Sequence, residues 1–181
     1  MKILAFSGSN SSSSINRKLL QYAVSFFTND EVKSIDINDY EMPIYSMDRE
    51  LEEGVPNKAV QFSDEIAKAD MILLSLNEHN GAYSAAFKNI FDWVSRVPNR
   101  SVFQDKGIFL IATSPGARGG SNVLEMAKNR FPWNGGKVLD TFSLPSFGET
   151  FDEEKGIICN DTLREELERK IEAIKLSYSQ E

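Results

Sequence analysis

Short apolar runs alternate with helical patterns along most of this chain of 181 residues, and the alternation limits the possible folds strongly. The runs predict five strands, near residues 2–7, 32–37, 71–76, 107–113 and 137–143. The third and fourth runs are apolar throughout, which is typical of strands that are covered on both faces. The pattern therefore predicts an α/β fold with a doubly wound parallel sheet, most simply in the order 2-1-3-4-5, and helices on both faces.

Five helices are predicted from apolar residues that recur every three or four positions. These positions are 19, 20, 23, 24 and 27; 59, 62, 66 and 69; 87, 90, 91 and 94; 123, 124, 127 and 131; and 163, 167, 171 and 174. Thr162 and Glu165 have the spacing of a capping box for the last helix. The stretch from Pro43 to Pro56 is interpreted as a long connection, and residues 1–181 are expected to form a single domain.

The composition argues against several classes of protein. A net charge of −7 gives nucleic acid and anionic membranes no general electrostatic attraction to the chain. No segment approaches the roughly 20 apolar residues that span a bilayer, so a cytoplasmic location is expected. A single cysteine, Cys159, and a single histidine, His79, argue against a structural metal site. Cys159 is predicted to be a small buried apolar residue.

A hydroxyl-rich turn joins the first strand to the first helix. It reads Ser7-Gly8-Ser9-Asn10-Ser11-Ser12-Ser13-Ser14-Ile15-Asn16-Arg17. Backbone N–H groups and hydroxyls at a helix N-terminus favour the binding of an anion. The turn lacks both the Gly-Lys-Ser/Thr ending of a nucleoside triphosphate loop and the three spaced glycines of a dinucleotide fingerprint. It therefore predicts a site for a monophosphate group, with a serine-rich surface turn as the alternative.

Two further polar loops follow the third and fourth strands. They read Asn77-Glu78-His79-Asn80-Gly81-Ala82-Tyr83 and Ser114-Pro115-Gly116-Ala117-Arg118-Gly119-Gly120-Ser121. Ligands of open parallel sheets bind beyond the carboxyl ends of the strands, where all three loops would lie together. Any single glycine here has a simpler explanation as a turn residue. Three such loops at one edge nevertheless indicate a ligand site.

The motifs in these loops resemble those of the NADPH-dependent FMN reductases, a family with a flavodoxin-like fold that includes quinone, chromate and azo-dye reductases. The resemblance covers nearly the whole chain. Its motifs are Gly8-Ser9 with Ser14-x-Asn16-Arg17-Lys18-Leu19, Glu78-x-Asn80-Gly81, Phe87-Lys88-Asn89-x-x-Asp92-Trp93 and Ser114-Pro115-Gly116-x-x-Gly119-Gly120.

The resemblance implies FMN as the cofactor and assigns residues to it. Ser9, Ser14 and Asn16 would hold the phosphate, and the neighbouring Ser11 and Ile15 complete the predicted loop site. The flavin ring would be lined by Asn77, Glu78, His79, Asn80 and Gly81. The loop that contains Ser114, Gly116, Gly119 and Gly120 would meet the pyrimidine edge of the ring. The helix that begins near Gly119 would favour the reduced, anionic flavin through its N-terminal donors.

Three positions depart from the family pattern. Ser11 stands where the family commonly has an arginine, which removes a cation from the phosphate site and predicts weaker FMN binding. Asn77 and His79 stand where a proline and a tyrosine are common, which predicts altered surroundings for the ring. His79 is a candidate proton donor or pH-sensitive contact, with a packing role as the alternative.

The implied activity is transfer of hydride from NADPH or NADH to FMN, followed by reduction of a quinone, azo compound, chromate or similar acceptor. A homodimer or a dimer of dimers is also implied, and Trp93, Phe131 and Trp133 are candidates for the core or for subunit contacts. Two alternatives remain open: a flavodoxin-like electron carrier, and a binding module that has lost its flavin.

Overall fold

The computed structural model describes residues 1–178, which form nine strands and seven α-helices. The strands are β1 (Lys2–Ser7), β2 (Glu31–Ile35), β3 (Met71–Leu76), β4 (Glu78–His79), β5 (Ala82–Tyr83), β6 (Gly107–Thr113), β7 (Lys137–Leu144), β8 (Phe151–Asp152) and β9 (Ile157–Ile158). The helices are α1 (Ile15–Val24), α2 (Met47–Glu53), α3 (Asn57–Lys68), α4 (Ala85–Val94), α5 (Ser121–Arg130), α6 (Phe147–Thr150) and α7 (Asp161–Tyr178). Short 3₁₀ helices cover Ile37–Tyr40 and Phe131–Asn134.

The five long strands form one parallel sheet in the order β2-β1-β3-β6-β7. This is the predicted order 2-1-3-4-5, because β4 and β5 form a separate two-stranded sheet within a loop. Every residue of β3 and β6 is buried, as their continuous apolar sequences indicated. The predicted doubly wound sheet is therefore confirmed.

Helices cover both faces of the sheet, and alternate residues of each strand face opposite sides. On one face, Leu4 and Phe6 of β1 belong to a core with α3, α4 and α5. On the other face, Ile3 and Ala5 belong to a core with α1 and α7. Three large aromatics were predicted to belong either to the core or to subunit contacts. Trp93 and Phe131 are buried, whereas Trp133 is 82% exposed.

Several local predictions were wrong. The last helix is capped by Asn160, whose Oδ1 accepts a hydrogen bond from the Leu163 N–H at 3.0 Å, so Thr162 lies inside the first turn and cannot form the predicted capping box with Glu165. Cys159 is exposed, because it lies just beyond the short surface strand β9. The predicted long connection from Pro43 to Pro56 is not contradicted, and it contains one further helix, α2, which is capped by Ser46.

Two predicted elements end earlier than expected. Strand β2 stops at Ile35, because Asp36 accepts a hydrogen bond from the Asn38 N–H at 3.0 Å and starts a 3₁₀ turn. Helix α1 ends at Val24, although Phe27 is still buried in the core. Within residues 1–178, no helix is long and apolar enough to cross a membrane. The same residues contain no group of three or more His, Cys, Asp or Glu side chains placed to hold a metal ion.

Candidate functional site

The serine loop, residues 9–14, connects β1 to α1 at the carboxyl edge of the sheet. Ser14 caps α1, and its Oγ accepts a hydrogen bond from the Arg17 N–H at 3.2 Å. Ser9 and Ser11 accept similar bonds at 3.3 Å from backbone N–H groups two residues later. A hydroxyl that accepts such a bond can still donate its own proton. The loop therefore presents several hydroxyl donors to a ligand.

The first N–H groups of α1 add to this donor set. Within the described residues, the backbone N–H groups of Ile15 and Asn16 have no hydrogen-bond acceptor. These groups form the positive end of the helix dipole. The donors together suit a phosphate, which accepts hydrogen bonds through several oxygens.

Arg17 does not supply the cation that Ser11 fails to provide. Its guanidinium forms an ion pair with Asp36 at 2.9 Å, on the side of α1 that faces the end of β2. Lys18, the next residue, pairs with Glu153. The donors of the serine loop are therefore neutral groups at the positive end of the helix dipole, and the nearby Arg17 and Lys18 are paired elsewhere.

Asn16 plays a part that the sequence did not suggest. Its side chain is buried and its Nδ2 donates to the Thr113 carbonyl at 3.0 Å. Its Oδ1 accepts from the Thr113 N–H at 2.9 Å and from the Ser75 hydroxyl at 3.1 Å. The side chain therefore ties α1 to the ends of β3 and β6, and the backbone N–H of Asn16 is without an acceptor among the described residues.

The second loop of the site folds as a β-hairpin. Glu78 pairs with Tyr83 and His79 with Ala82, so that only Asn80 and Gly81 form the turn. Both turn residues have positive φ, at 52° and 77°, as a type I′ turn requires. The Asn-Gly pair is the strongest short-range indication of such a hairpin, so the predicted ligand loop is a hairpin that its own sequence specifies. His79 lies exposed on this hairpin.

Tyr83 anchors the hairpin in the core. Its ring stacks on Phe131, with centroids 6.0 Å apart, and meets Phe87 edge-on at 5.5 Å. Its hydroxyl is buried and has no hydrogen-bond partner among the described residues. Burial raises the pKa of Tyr83 to about 12, and the nearby positive charge of Arg130 opposes the shift.

Glu78 links the hairpin to the start of α5. Its Oε2 accepts a hydrogen bond from the Val123 N–H at 3.1 Å, and its Oε1 accepts one from the Asn122 Nδ2 at 3.1 Å. The residue before the helix, Gly120, offers no side chain to cap it. The Glu78 carboxylate thus bonds to the N-terminus of α5, the helix whose N-terminal donors are predicted to favour the reduced flavin.

The glycines of the third loop have different surroundings. A Cβ added at Gly119 would lie 2.4 Å from the Ser143 Oγ and 2.8 Å from the Leu144 carbonyl carbon, and one at Gly120 would lie 2.8 Å from the Ala112 Cβ. A Cβ at Gly116 would meet no atom within 4 Å. Close packing of the loop on β6 and β7 therefore explains Gly119 and Gly120, but not Gly116.

Asn77, directly after β3, contains a second buried atom without a partner. The residue is 7% exposed, and its Oδ1 has no hydrogen-bond partner within the described chain. This atom would lie only 3.3 Å from a Cβ at Gly8, the residue before the serine loop. A buried polar atom without a partner points to a ligand or a water molecule. The donor-rich loop, the open face of Gly116 and this unpaired atom all fit a bound FMN.

The motif on α4 holds a neighbouring segment in place. The side chain of Asn89 accepts from the Tyr45 N–H at 2.9 Å and donates to the carbonyls of Met42 and Pro43 at 2.9 and 3.2 Å. The Trp93 Nε1–H donates to the Pro43 carbonyl at 2.7 Å. These contacts hold residues 42–45. The segment borders a cleft of about 240 Å³ that is also lined by Asn10 of the serine loop. The motif thus shapes the surface beside the candidate site.

The order of the parallel sheet, with a donor-rich loop after its first strand, defines a flavodoxin-like protein. The model of the family described as NADPH-dependent FMN reductase matches residues 1–149. The chain therefore belongs to the NADPH-dependent FMN reductase family, which confirms the resemblance found in its motifs.

Named relatives agree with this membership. An NADPH:quinone oxidoreductase from Arabidopsis thaliana is 33% identical over 124 residues, which cover 66% of this chain and 61% of the relative. A 2-hydroxy-1,4-benzoquinone reductase from a Burkholderia species is 33% identical over 120 residues, which cover 66% of this chain and 63% of the relative. The matched part thus spans about six-tenths of the length of these relatives.

Solved structures show the same fold. The flavoenzyme FerB from Paracoccus denitrificans, an NAD(P)H:(acceptor) oxidoreductase, has a TM-score of 0.76 and 23% identity, with coverage of 95% of this chain and 93% of FerB. An FMN-dependent NADH-azoreductase from Bacillus anthracis, solved in complex with FMN, has a TM-score of 0.69 and 12% identity, with coverage of 96% and 99%.

Proposed function

We propose that this protein is an FMN-dependent oxidoreductase that takes hydride from NADPH or NADH and reduces a quinone, azo compound, chromate or similar small acceptor. The observation that carries the proposal is the serine loop, with hydroxyl groups that can donate to a ligand and with the unpaired N–H groups of Ile15 and Asn16 at the start of α1. Family membership and the names of the relatives support the same activity.

In this proposal, each edge loop binds one part of FMN. The hydroxyls of Ser9, Ser11 and Ser14, with the N–H groups of Ile15 and Asn16, would hold the phosphate. The ring would be lined by Asn77, Glu78, His79, Asn80 and Gly81. Its pyrimidine edge would face the loop that contains Ser114, Gly116, Gly119 and Gly120.

When bound, FMN would supply the chemistry of accepting a hydride and passing electrons to the acceptor. The protein's residues have positioning roles. Asn16 fixes the start of α1 against β3 and β6. The tight turn at Asn80 and Gly81 fixes the hairpin that would face the ring. No side chain needs to act as a nucleophile, and His79, exposed on the hairpin, would contact the ligand from the rim.

We infer that the protein forms a homodimer, with a dimer of dimers as the larger assembly. Ile44, Met47 and Leu51 are 80%, 69% and 79% exposed. Ile44 lies on the segment that Asn89 and Trp93 hold against α4, and Met47 and Leu51 lie on α2, which follows that segment directly. Their apolar surface is therefore presented on one continuous stretch of ordered backbone. Sedimentation analysis tests this inference, and a monomer at micromolar concentration would contradict it.

A cytoplasmic location is proposed because NADPH and NADH are supplied there.

The experiment that tests the activity is anaerobic reduction. The purified protein is reconstituted with FMN, NADPH or NADH is added, and the visible absorbance of the flavin is followed against free FMN. We expect rapid bleaching that free FMN does not show. Bound flavin that stays oxidised with both donors would overturn the reductase proposal in favour of an electron carrier. A protein that binds no FMN would be a module that has lost its flavin.

A further inference from the structure

The N-terminus of helix α5 is capped by a carboxylate from another part of the chain, that of Glu78. Its first turn contains no acidic residue, and Gly120 gives it no side-chain cap. Glu78 provides both a negative charge and a capping acceptor for this helix, although it lies 45 positions before Val123 in the chain. Its carboxylate is half-buried and is bonded to both Val123 and Asn122. A contact of this kind holds one full negative charge at the positive end of a ten-residue helix.

The contact joins two of the three loops that would surround the flavin. Glu78 belongs to the hairpin after β3, and α5 directly follows the glycine loop after β6. An unoccupied helix N-terminus at this place would favour negative charge on a neighbouring ligand. The Glu78 carboxylate offsets the positive end of the α5 dipole, so the helix stabilises negative charge on a neighbouring ligand less.

We propose that Glu78 is a positioning residue that also weakens the binding of reduced FMN relative to oxidised FMN. This inference rests on the proposed function. Two-electron reduction adds negative charge to the flavin, and the Glu78 carboxylate opposes that charge both directly and by neutralising the start of α5. The same two hydrogen bonds hold the hairpin against α5.

The test is Glu78→Gln, which removes the charge and keeps the length of the side chain. The matched control is Glu125→Gln, which removes one charge from an exposed position of the same helix. The Kd for oxidised FMN is measured by fluorescence quenching. The midpoint potential is measured by anaerobic titration with dithionite in the presence of a reference dye. Neither measurement needs a nicotinamide or an acceptor.

For Glu78→Gln we expect the reduced-to-oxidised affinity ratio to rise about three- to tenfold over wild type. A tenfold rise equals about 30 mV for a two-electron couple. Glu125→Gln should leave the ratio within about twofold of wild type because an exposed charge is screened. The apo Glu78→Gln protein should melt less far below wild type than Glu78→Ala, because the glutamine oxygen can still accept the hydrogen bond from the Val123 N–H, whereas alanine loses both hydrogen bonds.

Equal ratios for Glu78→Gln, Glu125→Gln and wild type would overturn the role of Glu78 and leave the proposed function intact. A lower melting temperature for Glu78→Gln with an unchanged ratio would also overturn it, because the contact would then be structural alone. A wild-type protein that binds neither form of FMN would overturn this inference together with the proposed function.

Discussion

Gly116 and Gly119 lie three positions apart in one loop, yet only Gly119 is forced to be glycine by the protein around it. A Cβ at Gly119 would lie 2.4 Å from the Ser143 Oγ, and its φ is +55°, whereas a Cβ at Gly116 would point into open space. The glycine at position 116 therefore has no explanation in the packing of the chain itself. A ligand that approaches the backbone closely would provide one.

Substitution of these two glycines should separate stability from binding. Gly119→Ala is expected to lower the free energy of unfolding by about 1–3 kcal/mol through overpacking and backbone strain. Gly116→Ala should change it by less than about 0.5 kcal/mol and weaken FMN binding. Urea unfolding of the apo proteins and fluorescence titration with FMN provide the two values. An unchanged Kd for Gly116→Ala would remove Gly116 from the site.

Asn16→Ala should be among the most destabilising single changes at the carboxyl edge of the sheet. It leaves the buried N–H and carbonyl of Thr113 and the Ser75 hydroxyl without their partner. We expect a loss of about 3 kcal/mol in the free energy of unfolding. Asn129→Ala, an exposed position on α5, is the control and should change it by less than about 0.5 kcal/mol. Similar values for the two variants would show that the Asn16 contacts are dispensable.

Tyr83 should make the protein less stable at alkaline pH. Burial raises its pKa from 10.0 to about 12, so the unfolded chain releases this proton first as the pH rises. Its contribution to stability is therefore complete below pH 10 and is lost as the pH rises toward 12. Tyr83→Phe should lack this loss, and urea unfolding between pH 7 and about 11 compares the two proteins.

The same substitution removes a buried hydroxyl that has no partner among the described residues. Tyr83→Phe should therefore raise the free energy of unfolding by about 1 kcal/mol at pH 7. A decrease at pH 7 would mean that the hydroxyl has a partner, such as a water molecule. Parallel pH profiles for the two proteins would contradict the raised pKa.

Asn89→Ala should loosen the segment 42–45 without unfolding the protein. The variant loses three hydrogen bonds to that segment. Local opening then exposes the nearby Arg49, so tryptic cleavage after this residue should become several-fold faster. Lys88→Ala removes only an exposed ion pair with Asp92 and serves as the control. Equal cleavage rates would show that Trp93 and the ion pair between Glu50 and Arg96 suffice to hold the segment.

The strands of the sheet could be predicted because the residues that specify each strand are consecutive in the sequence. The unbroken apolar runs of β3 and β6 specify strands buried on both faces, and the intervening helical patterns leave few possible orders. Cys159 is exposed and not buried as predicted, because Ile157 and Ile158 before it form a small surface strand and not a core strand.

The site was predicted as a set of loops but not as a set of contacts. The hairpin turn at Asn80 and Gly81 could have been found, because Asn-Gly favours positive φ at both positions. The bonds of Asn16 to Thr113 and of Glu78 to Val123 could not, because their partners lie 97 and 45 positions away and meet only in the folded sheet.

We expect the contact between Asn16 and Thr113 to form late in folding. Its partner in β6 is 97 positions away, and closing so long a loop comes late, after local helices and turns have formed. Until β6 has joined β3, the start of α1 lacks two of the three hydrogen bonds by which Asn16 ties it to the sheet. The capacity to capture a phosphate should therefore appear in one step with the finished sheet, and a chain interrupted during synthesis before β6 would not retain the cofactor.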